Sequence, residues 1–146
     1  MAAAVALAAI AGLAGAVQVA VMGELGERVG VLSALAFSGV VTVAIALALQ
    51  GVGERSFRGL GDVVRQPVWL WTGGALSLLI VLAITVAGPR IGVAATLALV
   101  ITGNLVMGAA IDRFGLFGLA RIPISWPRAL GLLLLAAGAA LSLHKQ

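Results

Sequence analysis

The sequence has no cysteine, no tyrosine, one histidine and only five acidic residues among its 146 positions. Without cysteine there is neither a disulfide nor a thiolate metal site, whatever the compartment. The single histidine, His144, sits in the C-terminal tail and cannot by itself supply the base and the orienting group of a nucleophilic triad. No phosphate-cradling glycine loop and no metal-ligand spacing accompanies it, so catalysis is the least favoured class, and the sequence implies no cofactor and no metal. Charge is scarce too, at 10% of residues, and the net charge of +4 is spread thinly. The basic residues flank apolar runs one at a time and form no patch, which argues for membrane loops and against a nucleic-acid partner.

What fills the sequence is apolar. Hydrophobic residues make up 62% of it, and the mean hydropathy is +1.21. A water-soluble domain of this length exposes too much of its surface to hide that many apolar side chains. The chain is therefore read as an all-α integral membrane protein in contact with the lipid bilayer. Five apolar runs, at about 2–22, 31–51, 68–88, 91–111 and 129–143, are measured against the roughly 20 residues that cross about 30 Å of hydrocarbon. They predict one five-helix transmembrane domain spanning 1–146. The first run lacks a basic leading segment and is too long for the core of a secretory signal.

The joints between runs differ in chemistry. Gly23, Gly26 and Gly30 are expected to bracket a short loop holding Glu24, Glu27 and Arg28, and Gly88-Pro89 reads as a tight turn between helices. In the longer segment 52–67, Phe57, Leu60 and Val64 suggest the greasy side of an interfacial helix. The segment 113–127 keeps enough apolar residues to lie on or dip into the interface, and the fifth run begins beside Trp126-Pro127-Arg128. With five spans, Arg55, Arg58, Arg65, Arg113, Arg121 and Arg128 fall on the side of the N-terminus, against Arg28, Arg90 and Lys145 on the other. That excess predicts an N-terminus inside and a C-terminus outside, by a margin that leaves mixed insertion open. Small residues (Ala8, Gly12 and Ala16 in the first run, Gly103 and Gly108 in the fourth, others in every helix) predict close helix contacts and a partner.

Against this apolar background a few polar residues stand out as candidates for function. Gln18 and Asn104 are side-chain amides inside membrane runs; each is costly in hydrocarbon unless it meets protein, water or a solute. The bland alternative for both is an interhelical hydrogen bond that only fixes packing. Ser38 and Thr42 share a helix face, where hydroxyls commonly bond back to their own backbone. Trp69 reads as an interfacial anchor, and Trp71, deeper, as a possible pocket wall. Glu24 and Asp112 are the acids nearest the bilayer and the candidates for gating or coupling; their bland reading is solvated charge at a helix end beside Arg28 or Arg113.

The order of these features resembles the YdcZ-like family of short bacterial membrane proteins in the drug/metabolite transporter superfamily. The resemblance runs through Gln18 and Leu25-Gly26, with Met22 where the family carries asparagine, and through Phe37-Ser38-Gly39. It continues with Trp69, Trp71, Gly73 and Gly74, then Gly103-Asn104, and ends on the most specific element, Asp112, Phe114, Gly115 and Gly118. It implies location in the bacterial cytoplasmic (inner) membrane. It also implies half of a ten-helix bundle, completed by a homodimer, antiparallel through dual topology, or by a homologous oppositely oriented subunit. Two inverted repeats around a midplane site are the usual basis of alternating access. The expected function is transport of a small polar metabolite, with Gln18, Asn104, Trp71 and Ser38 at the substrate. A multidrug exporter for hydrophobic cations is a second possibility, disfavoured because no acid lies mid-span. A structural or regulatory subunit without transport is a third.

Overall fold

The computed structural model describes residues 2–53, 58–123 and 125–143; the expectations placed on Arg55, Phe57, His144 and Lys145 fall outside them. The described residues are helical nearly throughout, in the order α1 (Ala2–Val29), α2 (Val31–Gly53), a short α3 (Arg58–Val63), α4 (Thr72–Ile91), α5 (Val93–Phe114) and α6 (Trp126–Leu143). A 3-10 turn, Val68–Trp71, leads into α4, so that Val68–Ile91 forms one apolar span. Four helices are long and apolar enough to cross a membrane, and the apolar part of α6, Ala129–Ser142, is shorter. The 18 residues of α6 rise about 27 Å, close to the thickness of the hydrocarbon. Pro127 sits in the first turn of α6, where its missing N–H leaves no intrahelical bond unmade.

Two of the expected loops are helix. Gly23, Glu24, Gly26, Glu27 and Arg28 belong to the last turns of α1, and only Gly30 leaves the helix, at φ 88°. Gly23 and Gly26 are buried within the helix, and Gly26 is a point of close contact. A methyl built on Gly26 would lie 2.8 Å from the Thr85 Cγ2 atom. Glu24 and Arg28 are also paired along the helix at 2.7 Å. Likewise Gly88-Pro89 is no turn. Both residues lie inside α4, which ends at Ile91, and the break comes at Gly92 with φ 78°. Pro89 removes one backbone bond of the last turn of α4, and the helix ends two residues later.

The chain forms two compact units. In the unit Val21–Val86, Met22, Ala34 and Leu35 are buried, with Leu25, Val31, Val81 and Leu82 packed around them. The other unit takes the chain up to Ala20 and from Ala87 onward. There Val19 is 1% exposed and lies against Gly88, where an added methyl would stand 2.9 Å from the Val19 Cγ1 atom and 3.3 Å from its carbonyl oxygen. In the same unit α6 packs on α5, with Ala95, Thr96, Ala109 and Ala139 buried. Small side chains at these positions let the backbones approach, which is how helices attract one another in lipid.

Close approach is confined to a few glycines. Gly12, Gly15, Gly39, Gly73, Gly74, Gly103, Gly108, Gly131 and Gly138 would all accept a methyl with nothing within 4 Å of it. At these glycines, the expected close contacts are not made among the described residues.

Candidate functional site

Asn104 is the twelfth of the 22 residues of α5, so it stands at mid-helix. It is exposed. Nine residues, or two and a half turns, separate it from buried Ala95, which places it on the face of α5 opposite the packed one. Gln18 is exposed as well, on α1 next to buried Val19. No hydrogen bond joins either amide to another described residue, so the chain does not satisfy them itself and does not bond them to each other.

The hydroxyls divide into two groups. Thr42, Thr85, Thr96 and Thr102 each donate to the carbonyl four residues earlier, at 2.6 to 2.9 Å. For Thr42 this is the backbone bond expected from the sequence. Ser38, half-buried on α2, makes no such bond. It lines a groove of about 250 Å³ between α2 and α4 that also includes Gly39, Thr42, Gly74 and Ser77. The Ser77 hydroxyl is likewise unbonded to described residues. Ser77 was not legible as a site residue, because a single serine in an apolar run carries no pattern. The only signal is a glycine near each serine, Gly39 and Gly74, and that both line one groove is a property of the fold. A second groove, about 390 Å³ between α5 and α6, is lined by Ala, Leu, Ile and Gly alone.

Trp69 and Trp71 occupy the 3-10 turn before α4, each about half exposed, and Trp71 does not line the α2–α4 groove. The Trp69 carbonyl accepts the Thr72 hydroxyl at 2.7 Å. Glu24 accepts the Arg28 guanidinium on the surface of α1, an exposed pair of the kind worth less than about 1 kcal/mol. Asp112 is half-buried near the end of α5, and its carbonyl accepts the Ile122 N–H at 2.8 Å.

The Asp112–Gly118 stretch is a chain-reversal device. Gly115 caps α5 in the left-handed conformation (φ 62°, ψ 40°), its N–H donating to the Ile111 carbonyl. Phe117 and Gly118 also have positive φ, and the Arg121 side chain folds over Gly115, its Cγ 2.7 Å from where a methyl would be. The most specific motif in the sequence therefore shapes the polypeptide between α5 and α6.

Four long apolar helices, a shorter fifth and polar side chains displayed at mid-span define a small multi-pass membrane protein. The chain belongs to the family described as "Putative inner membrane exporter, YdcZ", whose model matches residues 3–141. It is accordingly an inner-membrane protein of a transport family of the drug/metabolite transporter type. No curated protein and no solved structure shows significant similarity to it.

Proposed function

We propose that this chain is one half of a transporter that moves a small, polar, uncharged or zwitterionic solute by alternating access. The other half is a second copy, or a homologous subunit, inserted in the opposite sense. The observation that carries the reading is Asn104: an amide at mid-helix, on the face of α5 opposite buried Ala95, with no hydrogen-bond partner among the described residues. In hydrocarbon such a group costs several kcal/mol. A wet cavity shared with a partner removes that cost and places a donor and acceptor in the path of a solute. Gln18, equally exposed, supplies a second amide. The glycines left open on α1, α2, α4 and α5 supply surfaces that a second subunit can approach closely. The family's description supports export as the direction. A hydrophobic-cation substrate is disfavoured, because among the described residues the acids Glu24, Glu27, Asp62 and Asp112 all lie towards helix ends and none is at mid-span.

The test is flux in liposomes containing the purified protein, screened over a panel of neutral, zwitterionic, anionic and cationic metabolites. Saturable movement of a neutral or zwitterionic member, lost in Asn104→Leu, is the expected result. Movement restricted to lipophilic cations would replace this reading with the multidrug one. An inert protein across the panel, with a dry and fully packed pair interface, would leave the structural-subunit reading.

A further inference from the structure

The transport reading above leaves open which part of the solute is recognised, and the α2–α4 groove bears on that. Its walls are apolar except for three hydroxyls, and no charged side chain lines it. Thr42 is turned back onto the Ser38 carbonyl at 2.9 Å. The threonines of these spans bond back to the backbone, whereas the Ser38 and Ser77 hydroxyls, like those of Ser33 and Ser142, are not tied to their own helices; of these four serines only Ser38 and Ser77 line the groove.

Their depths match. Ser38 lies seven residues beyond Val31 and Ser77 eight before Thr85, the residue that packs on Gly26 near the α1–α2 joint. At 1.5 Å per residue, they stand about 10 and 12 Å inward from that joint. Gly39 and Gly74 beside them have nothing within 4 Å of a would-be methyl, so space is left next to each hydroxyl.

Resting on the transport reading, we infer that the α2–α4 groove is a water-accessible half-site. In it Ser38 and Ser77 hydrogen-bond a hydroxyl or amide group of the solute. Few convergent polar groups in an apolar wall fix orientation, and each hydroxyl both donates and accepts. A site with no counter-charge discriminates against ions, because a charge moved there loses hydration with nothing to replace it.

The absence of native cysteine makes the test clean. Ser77→Cys and, as a reference, Leu79→Cys on the far side of α4 are each reconstituted in liposomes and treated with N-ethylmaleimide. Only thiols reached by water ionise and react, so Ser77→Cys should react at least about tenfold faster than Leu79→Cys. A trimethylammonium-bearing methanethiosulfonate, its rate normalised to a free thiol, should lag behind the neutral reagent at Ser77→Cys by about tenfold or more. Equal reactivity at positions 77 and 79 would mean a lipid-facing groove and would overturn the inference. So would an unhindered cationic reagent, or separation of the pair by Gly74→Leu, which would make the groove the seat of a partner helix. These labelling readouts need no transported solute. Fast, charge-selective labelling in a protein that carries nothing on the panel would sink the transport reading and leave the wet groove standing.

Discussion

Asn104 and Gln18 are the residues on which the transport reading turns, and leucine is the substitution that separates it from packing. Leucine favours helix at least as well as either amide and is at home in lipid. Asn104→Leu should therefore leave the assembled pair intact on size-exclusion chromatography while lowering the flux about tenfold, since a solute that loses one hydrogen bond forfeits about 1–3 kcal/mol. Intact flux with dissociated pairs would show the amide to be a packing element. Glu24 is expected to behave differently. It is held by Arg28 at the exposed end of α1, so Glu24→Gln should leave the dependence of flux on an imposed proton gradient unchanged. A protein still folded but no longer driven by pH would contradict that. At this scale the sequence was informative where a residue type is wrong for its medium. An amide among Ala, Val and Leu is visible without coordinates, whereas Ser77 gains meaning only from what faces it across the groove.

Among the elements, the helices were legible and their ends were not. Four apolar runs long enough for a bilayer and a shorter fifth sufficed to predict the helices. Glycine was then read as a breaker at Gly23, Gly26 and Gly88, all of which are buried inside helices. The same residue type serves both ends, conformational freedom and close approach, and sequence alone does not say which. Substitution distinguishes them. Gly88→Ala forces a methyl against Val19 at 2.9 Å and should cost about 1–3 kcal/mol, read as a lower thermal midpoint in detergent. Gly131→Ala on α6, with open space around it and outside the proposed pair surfaces, should not lower the midpoint, because alanine gains up to about 1 kcal/mol in helix propensity. Gly115→Ala combines a left-handed φ of 62° with the Arg121 side chain in its way. It should destabilise the α5–α6 connection, with a backbone term alone of about 1–2 kcal/mol, seen as faster proteolysis between Phe114 and Trp126.

For the whole molecule, orientation is the open quantity, and the absence of cysteine again offers the measurement. Glu27→Cys at the end of α1 and Ser125→Cys before α6 lie on opposite sides of a five-span chain. If one gene product inserts both ways, an impermeant thiol reagent should label each from either face of the membrane. Labelling of each from a single face would require an oppositely inserted homologous subunit, or a parallel pair. The helix joints bear on how such a balance is kept. Between α1 and α2, and again between α4 and α5, a single glycine separates the helices. A ribosome feeding this chain to the insertion machinery delivers those helices in two successive pairs with a single residue between the members of each. On that face the charges must sit on the helix ends themselves, as Arg28 and Arg90 do. The longer segment between α2 and α4 holds Arg55, Arg58 and Arg65, and there a gain or loss of one basic residue shifts the count without disturbing a long membrane helix. Two copies of the chain differing only at such positions would then be able to take opposite orientations while keeping the same one-glycine helix joints.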